Sequence, residues 1–182
     1  MEYSGALALL RAGLEKPGKR LAEFSDWASI GAICESSHWL AQRMKNAIGD
    51  TSLPIVELGA GYGSVTRVLP PSTVSIERDA KRFDALRVAF PDRTILDGCA
   101  MPVLAQLTTP TVVISSIPSI NNPEFGRLSA AIARAHKAGM IAELITYTYF
   151  LHDPFAGIFA NSAMVGLELL NIPPAFVWRY SC

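Results

Sequence analysis

Short β-rich runs alternating with helical patterns constrain this chain more than any other feature of it. From Leu53 onward the runs fall at residues 55–58, 73–76, 94–96, 111–114 and 140–147. Strands that alternate with helices bury both faces of one sheet, so the pattern predicts an α/β layer structure with five parallel strands. Between the second and third runs, Asp79 is placed to cap a helix whose Phe83, Leu86 and Phe90 face inward, and Pro91 stops it. Between the fourth and fifth, Asn122 is the expected cap and Pro123 the first turn, with Phe125, Leu128 and Ile132 as the inward stripe. Arg134, His136 and Lys137 then meet the negative end of that helix dipole, and Gly139 terminates it.

After Tyr149 the alternation stops. Residues 165–170 and 176–180 flank "NIPPA", which predicts two strands joined by a Pro-Pro turn and an antiparallel end to the sheet. Upstream, Leu7, Leu10 and Leu14, then Leu21, Phe24 and Trp27, then Leu40, Met44 and Ile48 read as three amphipathic helices, the third capped by Ser36 or Ser37 and ended by Gly49. With 182 residues, half of them hydrophobic, the chain suits a single domain with a sizeable core: a helical extension over 1–50 and a Rossmann-like core over 51–182.

Sixteen basic and sixteen acidic residues cancel, which argues against the broad positive field of a nucleic-acid binder, and no nucleic-acid partner is expected. Cys34, Cys99 and Cys182 are scattered, without a CxxC pair, so no metal site is expected and a reducing cytoplasm is the natural setting. Arg11 interrupts the first apolar stretch, and Pro102, Pro110, Pro118 and Pro123 break the long uncharged one, so neither reads as a signal or a membrane span.

The chemistry is carried by "VELGAGYGSVT" (56–66), where three alternate glycines follow the first strand. In an open parallel sheet, ligands bind beyond the carboxyl ends of the strands, where this loop lies. Gly59 and Gly61 fit both a dinucleotide fingerprint and the E-x-G-x-G-x-G loop that cradles S-adenosylmethionine. Ser64 stands where the dinucleotide motif has its third glycine, whereas Gly63 and Glu57 fit the methyl-donor form. Positions without side chains admit the ligand against the backbone, and N–H groups at the start of the following helix would face its carboxylate. Glu77, at the end of the second strand with Arg78 after it, stands where an acid accepts ribose hydroxyls.

Together these residues resemble class I S-adenosylmethionine-dependent methyltransferases, and more narrowly the bacterial phospholipid N-methyltransferase family, which is akin to rRNA adenine dimethylases. "IGAICESSHWLAQRM" (30–44), "SSIPSINNP" (115–123) and "NIPPAFVWRY" (171–180) carry the narrower likeness, which runs from about Ile30 to the end. The resemblance implies a mostly parallel methyltransferase sandwich with a C-terminal hairpin and N-terminal helices. It implies that Ser36 and Ser37 approach the cofactor, that residues 57–63 cradle it, that Glu77 holds its ribose with Arg78 beside it, that Gly98, Cys99 and Ala100 meet its adenine, and that the Ser115–Pro118 loop, with Ser115 and Ser116 at the cofactor, borders the transferring methyl. Where the family has Gly-Asp-Ala, this sequence has Gly98-Cys99-Ala100, and a thiol is a poor acceptor for an adenine amino group; Asp97 is the neighbouring alternative. Glu35 replaces the family's proline before Ser36.

The resemblance further implies transfer of methyl groups to the amine of phosphatidylethanolamine or its partly methylated derivatives. A methyltransferase for a soluble small molecule, or a binding protein of this fold that has lost turnover, are the alternatives. Tyr147, Tyr149 and His152 follow the fifth strand, where hydroxyls or an imidazole can take a proton from the amine and aromatic faces tolerate its growing charge. Leu7, Leu9, Leu10 and Leu14 beside Arg11, Lys16, Lys19 and Arg20 suit either a helix packed on the sheet or peripheral contact of residues 1–20 with anionic lipid on the inner face of the membrane.

Overall fold

A computed structural model describes residues 37–181, all within one unit spanning Cys34–Cys182. Helix α1 (His38–Ile48) begins where the Ser37 side chain accepts a hydrogen bond from the Leu40 amide, and it buries Leu40, Ala41, Met44 and Ile48. Strands β1 (Ile55–Leu58) and β2 (Val74–Glu77) follow, then α2 (Ala80–Ala89), β3 (Ile95–Asp97), α3 (Ala100–Ala105), β4 (Thr111–Ser115), α4 (Phe125–Lys137), β5 (Ile141–Thr148), β6 (Asn161–Glu168) and β7 (Ala175–Ser181). They form one seven-stranded sheet in the order β3-β2-β1-β4-β5-β7-β6, parallel through β5, with β7 antiparallel to both β5 and β6. The expected mostly parallel sheet with a closing hairpin is therefore the observed one.

All four residues of β1 and all five of β4 are buried, as central strands covered on both faces must be. One core cluster joins Val56, Leu58, Ile76 and Val113 to Leu128 and Ile132 of α4. The opposite face packs Ile55, Val112, Ile114 and Ile145 against Leu40 and Met44 of α1. The connection from β5 to β6 contains no helix; Phe155 and Phe159 instead pack on the fully buried Tyr180, with ring centroids 5.6 and 5.2 Å away. The Tyr180 hydroxyl donates to Asp153 Oδ1 at 2.7 Å, which pins this loop to the sheet.

Three local expectations are corrected. The crossover from β1 to β2 holds a single 3-10 turn, Thr66–Val68, and no α-helix. Pro70 and Pro71 leave too little chain before β2 for a longer helix, and Arg93 closes the segment by donating to the Leu69 and Pro70 carbonyls at 3.0 and 3.2 Å. Helix α3 was not expected, because Pro102 read as a breaker; it lies in the first turn, where a missing amide costs nothing. Asn122 does not cap α4 but turns the chain before it: its Oδ1 accepts from the Glu124 amide at 3.0 Å, and the helix starts at Phe125. The helices expected around Leu7 to Leu14 and Leu21 to Trp27 lie outside the described residues.

Candidate functional site

Parallel strands end together, so the loops after β1, β2, β3, β4 and β5 share one rim of the sheet. The turn after β6 joins them, because β6 runs parallel to β5 through their common partner β7. The start of α1 also reaches this rim: the Ser37 amide donates to Asn171 Oδ1 at 2.9 Å, and Asn171 Nδ2 donates to the Pro173 carbonyl at 2.7 Å. Two segments that the sequence left 134 residues apart are thereby joined. Arg43 reinforces the junction by pairing with Glu168 at 3.2 Å, crossing the strand at Gly166, where a Cβ would lie 2.4 Å from the arginine stem.

The three loop glycines do different work. All have φ between 61° and 90°, a region that favours glycine. A Cβ on Gly63 would lie 2.3 Å from the Phe90 ring, so this position is bare to let α2 pack. A Cβ on Gly59 would lie 2.7 Å from Ile117, in the loop after β4. At Gly61 nothing lies within 4 Å of the added carbon, so its bare side is open to a ligand.

Glu77 holds the loop from beside it. Its Oε2 accepts from the Gly61 amide at 2.8 Å, and its Oε1 accepts from the Arg78 and Asp79 amides at 2.9 and 2.8 Å. An ionised carboxylate offers about four lone-pair directions, so one remains on Oε2. Arg78 itself is exposed.

Glu57 lies elsewhere. Its carboxyl is fully buried, with Oε2 accepting from the Thr66 and Ser75 hydroxyls at 2.7 and 2.6 Å and Oε1 without a partner. It ties the crossover to β1 and β2 from beneath the loop. Burial pushes its carboxyl above the ordinary range; the hydroxyls of Ser75 and Thr66 and the charge of Arg93 pull the other way without prevailing. A group whose pKa is raised by folding contributes stability that is present at low pH and lost as pH rises through the folded value. Unfolding free energy is therefore expected to fall as pH climbs from about 4.3, the ordinary glutamate value. Glu57→Gln, which keeps an acceptor for both hydroxyls and has no proton to lose, should flatten that decline and equal or exceed the parent at pH 8 in urea titrations. An unchanged pH slope in the variant would remove Glu57 as its source.

The remaining predicted residues divide as follows. Gly98 donates its amide to the Glu77 carbonyl at 3.0 Å, and Ala100 is buried at the start of α3. Cys99, half-buried, occupies the N-cap position of α3 without a side-chain capping bond, and Asp97 is exposed beside it. Ser115 is buried and its carbonyl accepts from Thr146 at 2.9 Å, while the buried Ser116 hydroxyl has no partner. The rings of Tyr147 and Tyr149 meet edge to face at 5.5 Å on the α1 side of the sheet. His152 continues the loop after β5, its amide donating to the Phe150 carbonyl at 2.9 Å. Ser36 and residues 1–20 lie outside the described residues. Asn171, Asp153, Thr66 and Ser75 were missed as organisers of the rim. Only Asn171 gave a signal, as part of the distinctive "NIPPA".

The sequence matches no protein-family model and no curated protein. Its fold is similar to that of TrmN from Thermus thermophilus, with TM-score 0.58 and 13% identity over 79% of this chain and 48% of that one. Precorrin-6y C5,15-methyltransferase from Geobacter metallireducens is similar at TM-score 0.57 and 16% identity, over 79% of this chain and 88% of that one. An RNA methyltransferase from Salinibacter ruber, in complex with S-adenosyl-L-homocysteine, gives TM-score 0.51 and 15% identity over 81% and 93%. The chain thus spans about half the length of TrmN and most of the other two. At such identities the likeness is one of fold: the Rossmann-like sandwich of the class I methyltransferases.

Proposed function

We propose that the rim binds S-adenosylmethionine and that the protein transfers its methyl group to the amine of phosphatidylethanolamine or a partly methylated derivative. The observation that carries the reading is Gly61, with positive φ and open space where a side chain would stand, held by its amide to a carboxylate at the end of the neighbouring strand. A cradle of that kind admits a ligand against the backbone and places an acid beside its sugar. The unpartnered Ser116 hydroxyl adds a polar group that a bound molecule would satisfy.

In this reading Gly59 and Gly61 border the amino-acid end of the donor and Glu77 holds the ribose. It accepts one hydroxyl on the free direction of Oε2, and a second if Gly61 turns its amide to the ligand. Cys99 and Asp97 stand where the adenine would lie. Ser37 approaches from the start of α1, with Ser36 before it in the sequence, and Arg78 borders the sugar from outside. The bound donor supplies a methyl group already activated as a sulfonium, so the protein has only to align the amine and free its lone pair. An ethanolamine head group arrives protonated; burial disfavours the cation, and Tyr147, Tyr149 or His152 offers the proton a path away. The lipid acceptor rests on the likeness of residues 30–44, 115–123 and 171–180 to the phospholipid N-methyltransferases.

A soluble small molecule is the second reading, supported by the extent to which this chain spans the precorrin-6y C5,15-methyltransferase from Geobacter metallireducens. Incubation with isotopically labelled donor in three arms, phosphatidylethanolamine vesicles, a mixture of small amines, and RNA, followed by mass spectrometry, tests the assignment. Label in the lipid amine is the expected result. Label confined to a soluble amine or to RNA replaces the acceptor, and donor that binds without transfer makes the protein a binder of this fold.

A further inference from the structure

The exposed large apolar side chains are not spread evenly over the described residues. Trp39 begins α1, Phe150 and Leu151 follow β5, and Leu169, Leu170 and Ile172 form the turn after β6. All six stand on the half of the rim beyond β5: the Ser37–Asn171 hydrogen bond joins the segment of Trp39 to that of Leu169, Leu170 and Ile172, and β5 pairs with β7 at Thr148 and Phe176, beside Phe150 and Leu151. Their exposure is high: Leu151, Leu169, Leu170 and Ile172 are between 65% and 70% accessible. The three segments that carry them, 37–40, 149–152 and 169–174, contain no Asp, Glu, Lys or Arg, in a chain that is 18% charged.

Contiguous exposed apolar groups of this kind mark a surface that meets something. We propose that this half of the rim docks on a lipid bilayer, with Phe150, Leu151, Leu169, Leu170 and Ile172 entering the interface and Trp39 at head-group level. Two observations favour a bilayer over a second copy of the chain. The apolar groups project from loop tips and a helix end, which suits insertion, whereas a stable dimer needs an extended complementary face. Trp39, His38 and Tyr149 accompany them, and amphipathic rings of this sort settle at the membrane–water boundary. Among the described residues no helix is long and apolar enough to cross a membrane.

The inference rests on the phospholipid reading above and deepens it: the docked rim brings the mouth beside Gly61 and Ser116 to the depth of the head groups. Flotation of the full chain with phosphatidylglycerol–phosphatidylethanolamine vesicles, without donor, tests docking apart from catalysis. The intact protein should float, and the triple variant Leu151→Glu, Leu170→Glu, Ile172→Glu should bind at least about tenfold less. All three side chains are largely outside the core, so circular dichroism and melting should be unchanged. Val88→Glu, at the far end of α2 and 84% exposed, should float like the parent. With detergent-dispersed phosphatidylethanolamine, where docking is not needed, the triple variant should retain methyl transfer while losing it on vesicles. Docking is overturned if the parent fails to float, if the triple variant floats equally well, or if sedimentation shows the parent to be a dimer that the triple variant dissociates without any vesicle binding. Absent transfer on dispersed lipid with intact flotation would overturn the enzymatic reading instead and leave the docking surface standing.

Discussion

Glu77→Gln is expected to weaken S-adenosylmethionine binding by about 100-fold or more, measured by titration calorimetry, in a protein that still folds. The reason lies in how the carboxylate is shared. Two amides, from Arg78 and Asp79, converge on Oε1, so in the variant that end must remain the carbonyl oxygen. The amide nitrogen then faces the Gly61 N–H, 2.8 Å from Oε2 in the parent, and two donors oppose each other. The loop loses its hold on β2 at the position whose bare side is open, and the acceptor direction left for the ribose disappears with it. Hydrogen bonds to a charged group are worth about 1.5–3 kcal/mol each. Loss of the bond to one sugar hydroxyl, and of the second that a turned Gly61 amide would allow, gives about 3–6 kcal/mol, which exceeds the roughly 2.8 kcal/mol of a 100-fold change. Undiminished affinity would remove Glu77 from the site. A collapse of the melting transition together with lost binding would assign it to the loop alone.

Glu77, read from the sequence and found bonded to the Gly61, Arg78 and Asp79 amides, shows where the sequence was legible and where it was not. The acid at the end of the second run, the glycines after the first, and the strand pattern of β1, β2, β4 and β5 are all local signals, readable because period and punctuation are properties of neighbours in the chain. Asp79 as a cap, Gly139 as a terminator and the hairpin around "NIPPA" belong to the same class, and the structure has Asp79 accepting from the Arg82 amide at 3.0 Å. What failed was anything decided by partners far along the chain. Glu57 reads as the leading residue of a ligand-cradling loop, yet its carboxyl is buried beneath that loop, where Thr66 and Ser75 offer hydroxyls from two other elements. The crossover after the glycines looks long enough for a helix, yet Arg93 and two prolines hold it to one turn. Phe155 and Phe159 show no helical or strand period and still fill the core, because the loop that carries them is tied to Tyr180 through Asp153. Among the glycines the motif gave one role to all three, and only the packing around each separates them.

That separation supplies a test in which two similar substitutions have opposite profiles. Gly63→Ala should destabilise the fold by roughly 2–4 kcal/mol, from a φ of +90° that alanine tolerates poorly and from overlap with the Phe90 ring and Leu86 in a packed region. In a protein of this size that lowers the melting temperature by several degrees or more. Donor affinity of the fraction that remains folded should change little, because the added carbon points into α2. Gly61→Ala carries only the cost of its φ of +61°, about 1–2 kcal/mol, with nothing in the folded chain to collide with. Its methyl group enters the open side of the loop, so affinity should fall about tenfold or more while stability falls less than in Gly63→Ala. Shortening the obstacle separates the two further: Phe90→Leu combined with Gly63→Ala should recover part of the lost stability, whereas the same change should do nothing for Gly61→Ala. If both glycine variants lose stability alike and bind donor alike, the loop is a tight turn and no cradle, and the open space at Gly61 has no ligand to receive.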